Sequence, residues 1–182
     1  WMGDPIDLIS PVVFTDSDYG GNGPLTQQCT SGVFCGLRGP NSSFPISAQS
    51  KRQGCQSTST TEAELAACQF GVQKQGLPAL IFWKSLCEGL CVPFAGLGVL
   101  LDNTAMIEII RTGRNLTIRQ ISKTHGVAVS WLHEIYDDPD VRVRHITTTM
   151  MAADIYTKVF TSRPTWDTLC QQCNIVPEPP TA

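Results

Sequence analysis

The chain has 182 residues, 42% hydrophobic and 16% charged, with a formal net charge of -3 at pH 7. That length and mix suit one globular domain with a real core and exclude two large domains. No apolar run approaches the roughly 18 residues of a membrane span, and 15 Gly with 12 Pro are too few for a disordered or collagenous chain.

The opening Trp1-Met2-Gly3-Asp4-Pro5 carries no initiator methionine and no basic or apolar leader, and reads as part of a longer polypeptide. Residues 1–10 are accordingly expected to link to an upstream segment. Val12–Asp16 predicts a short buried strand running into a turn of glycine, asparagine and proline. Ser31–Leu37 and Phe44–Ser50 predict two more strands around a turn cluster, which makes an antiparallel meander. Thr61 then opens a helix with Leu65, Cys68 and Val72 at helical spacing, and Pro78 starts a second one reaching about Cys91.

Gly98–Asp102 is a continuous apolar run ending in an acid, fit for a strand buried on both faces, and a helix follows from Asn103. Ile118–Tyr136 predicts a longer helix and Val141–His145 alternates as a strand does. Met150–Phe160 and Thr165–Cys173 predict short helices before a Pro-rich end. The order predicts an α/β domain: a mixed sheet with helices on its faces.

Eight cysteines are scattered along a chain long enough to build a core without staples, so reduced thiols are expected rather than a disulfide framework. Charge is segregated. Tyr19–Thr61 and Ile109–His133 contain no acid, and the second run holds Arg111, Arg114, Arg119 and Lys123. One face could then meet phosphates while the carboxylates elsewhere hold cations.

Four acids stand where strand ends and helix starts converge in an open α/β sheet: Asp16, Glu64, Asp102 and Asp154. Gathered together they would repel one another unless cations lay between them. Two divalent ions bridged by such carboxylates are a standard device for in-line displacement at phosphorus, and oxygen ligands favour Mg2+ or Mn2+ over zinc. Each acid also has a plainer reading. Asp16 can cap a turn, Glu62 or Glu64 can close a capping box with Ser59 or Thr61, and Asp102-Asn103 can cap the next helix. Asp154 can complement a helix dipole.

The stretches Phe14-Thr-Asp-Ser-Asp-Tyr-Gly-Gly, Cys29-Thr-Ser-Gly-Val, Ser50-Lys with Ser59-Thr-Thr-Glu-Ala-Glu-Leu, Leu101-Asp-Asn, Lys123-Thr-His and Ala153-Asp-Ile-Tyr-Thr-Lys occur in this order. Together they resemble the ribonuclease H domain of copia-type LTR retrotransposon Pol polyproteins, over roughly residues 11–160, with 161–182 left as a C-terminal helix and tail. The resemblance implies a ribonuclease H-like fold with a five-stranded mixed sheet flanked by helices. It also implies cleavage of the RNA strand of RNA/DNA hybrids by two Mg2+ or Mn2+ ions during reverse transcription. The partners it implies are the hybrid and an upstream reverse transcriptase, with no membrane, in a cytoplasmic virus-like particle or the nucleus.

Carried over residue by residue, the resemblance makes Asp16, Glu64, Asp102 and Asp154 the metal-binding carboxylates, with Glu64 preferred to Glu62 for its Glu-Leu-x-Ala context. His145 corresponds to a mobile-loop histidine for proton transfer or product release. Arg111, Arg114, Arg119 and Lys123 are expected to contact phosphates, and Ser57, Thr58 and Asn103 the 2′-hydroxyls that distinguish RNA. Gln27-Gln28-Cys29 departs from relatives that carry basic residues before Ser-Thr-Ser-Gly, and the cysteines exceed the family norm. Two other readings compete: an inactive ribonuclease H fold kept as a structural domain of a degenerate copy, and a zinc-stabilised module built on Cys87, Cys91, Cys170 and Cys173.

Overall fold

Val12, Val13 and Phe14 are apolar in succession, a pattern that suits a strand covered on both faces. In the computed structural model, which describes residues 3–19, 28–54, 56–114 and 126–175, they lie in the middle strand of the sheet. Strand β1 (Ser10–Asp18) pairs antiparallel with β2 (Thr30–Arg38), and β2 antiparallel with β3 (Ser43–Arg52). On its other side β1 pairs parallel with β4 (Leu97–Leu101), and β4 parallel with β5 (Val141–His145). The order β3-β2-β1-β4-β5 makes a five-stranded mixed sheet, with every predicted strand present to within a few residues.

Ser59 caps helix α1 (Thr60–Gly71) by accepting from the Glu62 N–H. The predicted break before Pro78 is absent. Instead α1 widens into a π-helical turn, Val72–Gly76, and continues as α2 (Leu77–Gly89). A proline lacks the N–H and the clearance that an unbroken α-helix demands, and the wider turn accommodates both. The remaining helices are α3 (Thr104–Thr112), α4 (Val129–Asp137) and α5 (Arg163–Gln172).

Two helix predictions are corrected. Residues 115–125 lie outside the described segments, and the part of the helix expected over Ile118–Tyr136 that is described is helical from Val129, since Gly126 adopts φ +65 and Ala128 is extended. The stretch from Met150 is two short 3-10 turns, Thr148–Met150 and Ala152–Tyr156, rather than one helix. The cysteines at 29, 35, 68, 87, 91, 170 and 173 are free thiols, as expected, and Cys55 lies outside the described residues.

The main core packs Val13, Val33, Val99 and Leu101 of the sheet against Leu65, Cys68, Met106, Ile110 and Leu132 of the helices. A second cluster covers the opposite face, where Val12, Phe14 and Phe34 meet Met151, Ala152, Ala153 and Cys173. The first layer is tight where α1 crosses the sheet. A Cβ at Gly71 would run into Thr15 Cγ2 and stand 3.2 Å from both Val33 methyls. In an open helix Gly→Ala stabilises by about 1 kcal/mol. Here Gly71→Ala is expected to destabilise by about 1–3 kcal/mol through overpacking, read as a lower urea midpoint.

Candidate active site

Val12, Val13 and Phe14 pair with Gly98, Val99 and Leu100 across the parallel β1–β4 ladder. Two residues further along each chain, that register sets Asp16 beside Asp102. Asp16 is therefore not at a strand end, since β1 runs on to Asp18, whereas Asp102 immediately follows β4. Glu64, near the start of α1, completes the group: one carboxylate oxygen from each of the three lies within 4.8 Å of the others. They open into a cleft of about 560 Å³ that also takes in Asn103, Thr148 and Lys158.

Asp16 and Glu64 are buried, and Asp102 is half-buried. Burial pushes the Asp16 carboxyl up to about 7; Lys158 pulls it the other way, while Asp154 and Asp102 add to the rise. Burial, with the charges of Asp16 and Asp102, pushes Glu64 up to about 9. Among the described residues no donor reaches Glu64 Oε2, which is shielded from solvent. An unpartnered buried oxygen beside two more carboxylates fits a divalent cation, and an all-oxygen donor set fits a hard one such as Mg2+ or Mn2+.

Asp154 lies beside this group but faces a different partner. Lys158 Nζ stands 2.7 Å from Asp154 Oδ1 and 3.6 Å from Asp16 Oδ2. Burial works against the Lys158 charge, yet Asp16 and Asp154 outweigh it and hold the ammonium above its usual range. Burial raises the Asp154 carboxyl. Thr157 Oγ1 donates to Asp16 Oδ2, and Thr148 Oγ1 donates to Asp102 Oδ2 at 2.9 Å. Lys158, Thr157 and Thr148 were assigned no role from sequence. The first two sit inside the Ala-Asp-x-x-Thr-Lys motif, where the spacing of Asp154 and Lys158 already allowed an i,i+4 pair.

The two helix-start glutamates separate cleanly. Glu62 Oε2 accepts from the Thr58 N–H at 2.7 Å and from Thr58 Oγ1 at 2.6 Å, so Glu62 secures the helix start while Glu64 joins the acids. Thr58 is therefore turned to Glu62, and Ser57 is buried and donates to Gln53 at 3.2 Å. Asn103 lines the cleft and caps α3 by accepting from the Met106 N–H at 3.0 Å.

His145 ends β5, exposed and paired with Leu101, and is not among the cleft's lining residues. Arg111 is exposed and ion-paired with Glu108 at 2.6 Å. Arg114 is exposed at the end of its described segment, while Arg119 and Lys123 lie outside the described residues. The competing zinc reading finds no cysteine group among the described residues: Cys87 is buried with Trp83 and Ile9, while Cys91 is exposed.

The raised carboxyls predict how stability depends on pH. Below about pH 4 folded and unfolded chains both hold these protons. As pH rises towards about 7 for Asp16 and about 9 for Glu64, the folded chain keeps protons that the unfolded chain has released. Stability contributed by these sites therefore falls with rising pH across that window. Thermal melts in EDTA should show it, and added Mg2+ should raise Tm more at about pH 8 than at about pH 5, since ligands must shed protons to bind a metal.

No protein-family model matches the chain. It is 30% identical over 147 residues, 80% of its length, to a retrovirus-related Pol polyprotein from transposon TNT 1-94 of Nicotiana tabacum, and spans 10% of that polyprotein. Among solved structures, a prototype foamy virus protease-reverse transcriptase mutant is similar over 88% of this chain and 22% of its own, at 15% identity and a TM-score of 0.50. A ribonuclease H1 solved in complex with an RNA/DNA hybrid is similar over 81% of this chain and 94% of its own, at 15% identity and a TM-score of 0.48.

Proposed function

The chain resembles a retrotransposon Pol polyprotein in sequence and carries the ribonuclease H fold, and on that premise we propose that it is a metal-dependent endonuclease for the RNA strand of RNA/DNA hybrids. The observation that carries the reading is the convergence of Asp16, Glu64 and Asp102, whose oxygens lie within 4.8 Å of one another in an open cleft. Asp154, held beside them by Lys158, is the fourth carboxylate of the proposal, and two Mg2+ or Mn2+ ions are its cofactors.

Bound there, divalent cations would lower the pKa of an attacking water and offset charge on the phosphate. The chain's own contribution is positional. β1 and β4 hold Asp16 and Asp102 side by side, and α1 brings Glu64 across them. Thr157 and Thr148 fix the rotamers of Asp16 and Asp102 by hydrogen bonds. Lys158 keeps Asp154 and Asp16 from repelling each other. His145, at the end of β5 next to Leu101, is proposed as the group that moves a proton or releases product from this edge.

Of Ser57, Thr58 and Asn103, the candidates for reading a 2′-hydroxyl, the feature that distinguishes RNA from DNA, Asn103 lines the cleft. Arg111, Arg114, Arg119 and Lys123 are proposed as a basic flank for the duplex backbone. Each phosphate contact adds roughly 0.7–0.9 to the salt slope of binding. Neutralising Arg114 and Arg119 together should flatten that slope and weaken hybrid binding, measured by fluorescence anisotropy across salt, without changing cut positions. A net charge of -3 implies weak binding by the isolated domain and support from an attached reverse transcriptase, the proposed partner.

The function is tested on a hybrid labelled in either strand. Mg2+ should release RNA fragments and leave the DNA intact, EDTA should stop the reaction, and single-stranded RNA should survive. Cleavage of the DNA strand, or of RNA in EDTA, would contradict the proposal.

A further inference from the structure

The sheet carries a second depression that shares no lining residue with the acidic cleft. Its origin is the register. Val12 and Phe14 of β1 pair with Gly98 and Leu100 of β4, which pair with Arg142 and Arg144 of β5. Residues paired across a ladder project from the same face, so both arginines rise beside Val12 and Phe14. Ser10 pairs with Arg38, which puts a third arginine on that face from the opposite side. Gly98 has no side chain to fill the space between them. The result is a hollow of about 370 Å³ with an apolar floor of Val12, Phe14, Leu100 and Ile146.

Arg38, Arg142 and Arg144 all line this hollow, and no acid is among its lining residues. Asp4 and Asp140, which approach the lining residues Gly39 and Gly96, are engaged elsewhere: Asp4 accepts from Asn41 at 2.8 Å, and Asp140 pairs with Lys84 at 2.6 Å. Arg38 lies over the Phe14 ring, 5.6 Å from its centroid, donates to the Gln172 carbonyl, and keeps a shielded Nε with no partner among the described residues. Arg142 donates to the Ala95 carbonyl at 2.8 Å, which leaves most of its donors without a partner among the described residues. Arg144 is exposed and makes no ion pair with a described residue. A chain with 13 Lys and Arg and a net negative charge thus directs three of them into one pocket.

Guanidinium forks match phosphate oxygens in geometry. A phosphomonoester brings about 1.5–2 negative charges at neutral pH, more than one carboxylate can offer three arginines. The volume suits a single small ligand and is too small for a duplex. The apolar floor suits a flat, weakly polar ring system next to the charge. We propose that this hollow is a binding site for a nucleotide phosphomonoester, the phosphate held by Arg38, Arg142 and Arg144 and the nucleoside lying on the floor. Free mononucleotide and the 5′-phosphorylated end of a strand present the same chemistry. The segment Thr148–Met150 separates the two sites, since Met150 lines the hollow while Thr148 lines the cleft, and the proposal stands independently of the nuclease reading.

The test is a 15N NMR titration of the whole chain in EDTA with adenosine 5′-monophosphate, adenosine, inorganic phosphate, hexaglutamate, and a tetranucleotide with and without a 5′-phosphate. Saturable shifts are expected at Val12, Gly98, Leu100 and Arg144 with the phosphomonoesters and not with adenosine. Tighter binding of the mononucleotide assigns the site to free nucleotide, and tighter binding of the phosphorylated tetranucleotide to a strand end. Arg142→Ser with Arg144→Ser should weaken binding by about tenfold or more, since charged hydrogen bonds are lost, and leave hybrid cleavage unchanged. The exposed single change Arg144→Ser should give an intermediate loss, and each variant's spectrum reports its fold directly. Absence of saturable shifts, shifts confined to the acidic cleft, undiminished binding by the double variant, or tighter binding of hexaglutamate would each overturn the proposal.

Discussion

Asp102→Asn is expected to lower cleavage of an RNA/DNA hybrid by roughly three orders of magnitude or more while leaving the fold intact. A metal's charge stabilisation in the transition state amounts to several kcal/mol, and each ~1.4 kcal/mol is a factor of ten in rate. Asparagine keeps the shape and an acceptor for Thr148 Oγ1 but removes the charge that a cation needs. Asp102 is half-buried and lies just beyond β4, so the substitution disturbs no packing in the main core. Single-turnover rates with saturating hybrid, beside a thermal melt of the same variant, separate lost chemistry from lost structure. Cleavage within tenfold of the parent would remove Asp102 from the metal site.

Glu64→Gln and Glu62→Gln should divide function from stability. With its carboxyl pushed up to about 9, Glu64 is mostly neutral at about pH 8 in the absence of metal. Exchanging it for a neutral amide should therefore change Tm in EDTA little, while cleavage falls about as far as in Asp102→Asn. Glu62 instead accepts two hydrogen bonds from Thr58 at the start of α1. Its replacement weakens charge-assisted bonds to neutral ones, at a cost of about 1 kcal/mol, and should leave most of the activity. Reversal of this pattern would mean that the register of α1 against the acids is wrong.

Why these outcomes were partly legible in the sequence follows from particular residues. The strands carry their own signature: Val141-Arg-Val-Arg-His alternates, and Leu97–Leu101 is an apolar run closed by an acid. Pairing is not written locally, so the placement of Asp16 beside Asp102 emerges only from the β1–β4 ladder. Ser59 and Thr61 offer equivalent capping boxes on paper. Tertiary packing selects Ser59, and that choice turns Glu62 to the helix start and Glu64 to the acids.

The misreadings also have physical causes. Apolar spacing over residues 118–136 imitates one helix, but spacing says nothing of the left-handed backbone at Gly126. Pro78 signals a helix start in most settings, and a π turn, which leaves no compositional mark, lets the helix pass through it.

Cleavage chemistry tests the central claim most directly. A hybrid is cut in 18O-labelled water with Mg2+, and the RNA fragments are weighed by mass spectrometry. Hydrolysis by a metal-activated water predicts linear phosphate ends carrying one 18O per cut, no 2′,3′-cyclic phosphate, and a yield from Asp102→Asn lower by roughly three orders of magnitude or more. Cyclic phosphate ends, or products that persist in EDTA, would show attack by the ribose hydroxyl and contradict the assignment of Asp16, Glu64 and Asp102 to metal-dependent hydrolysis.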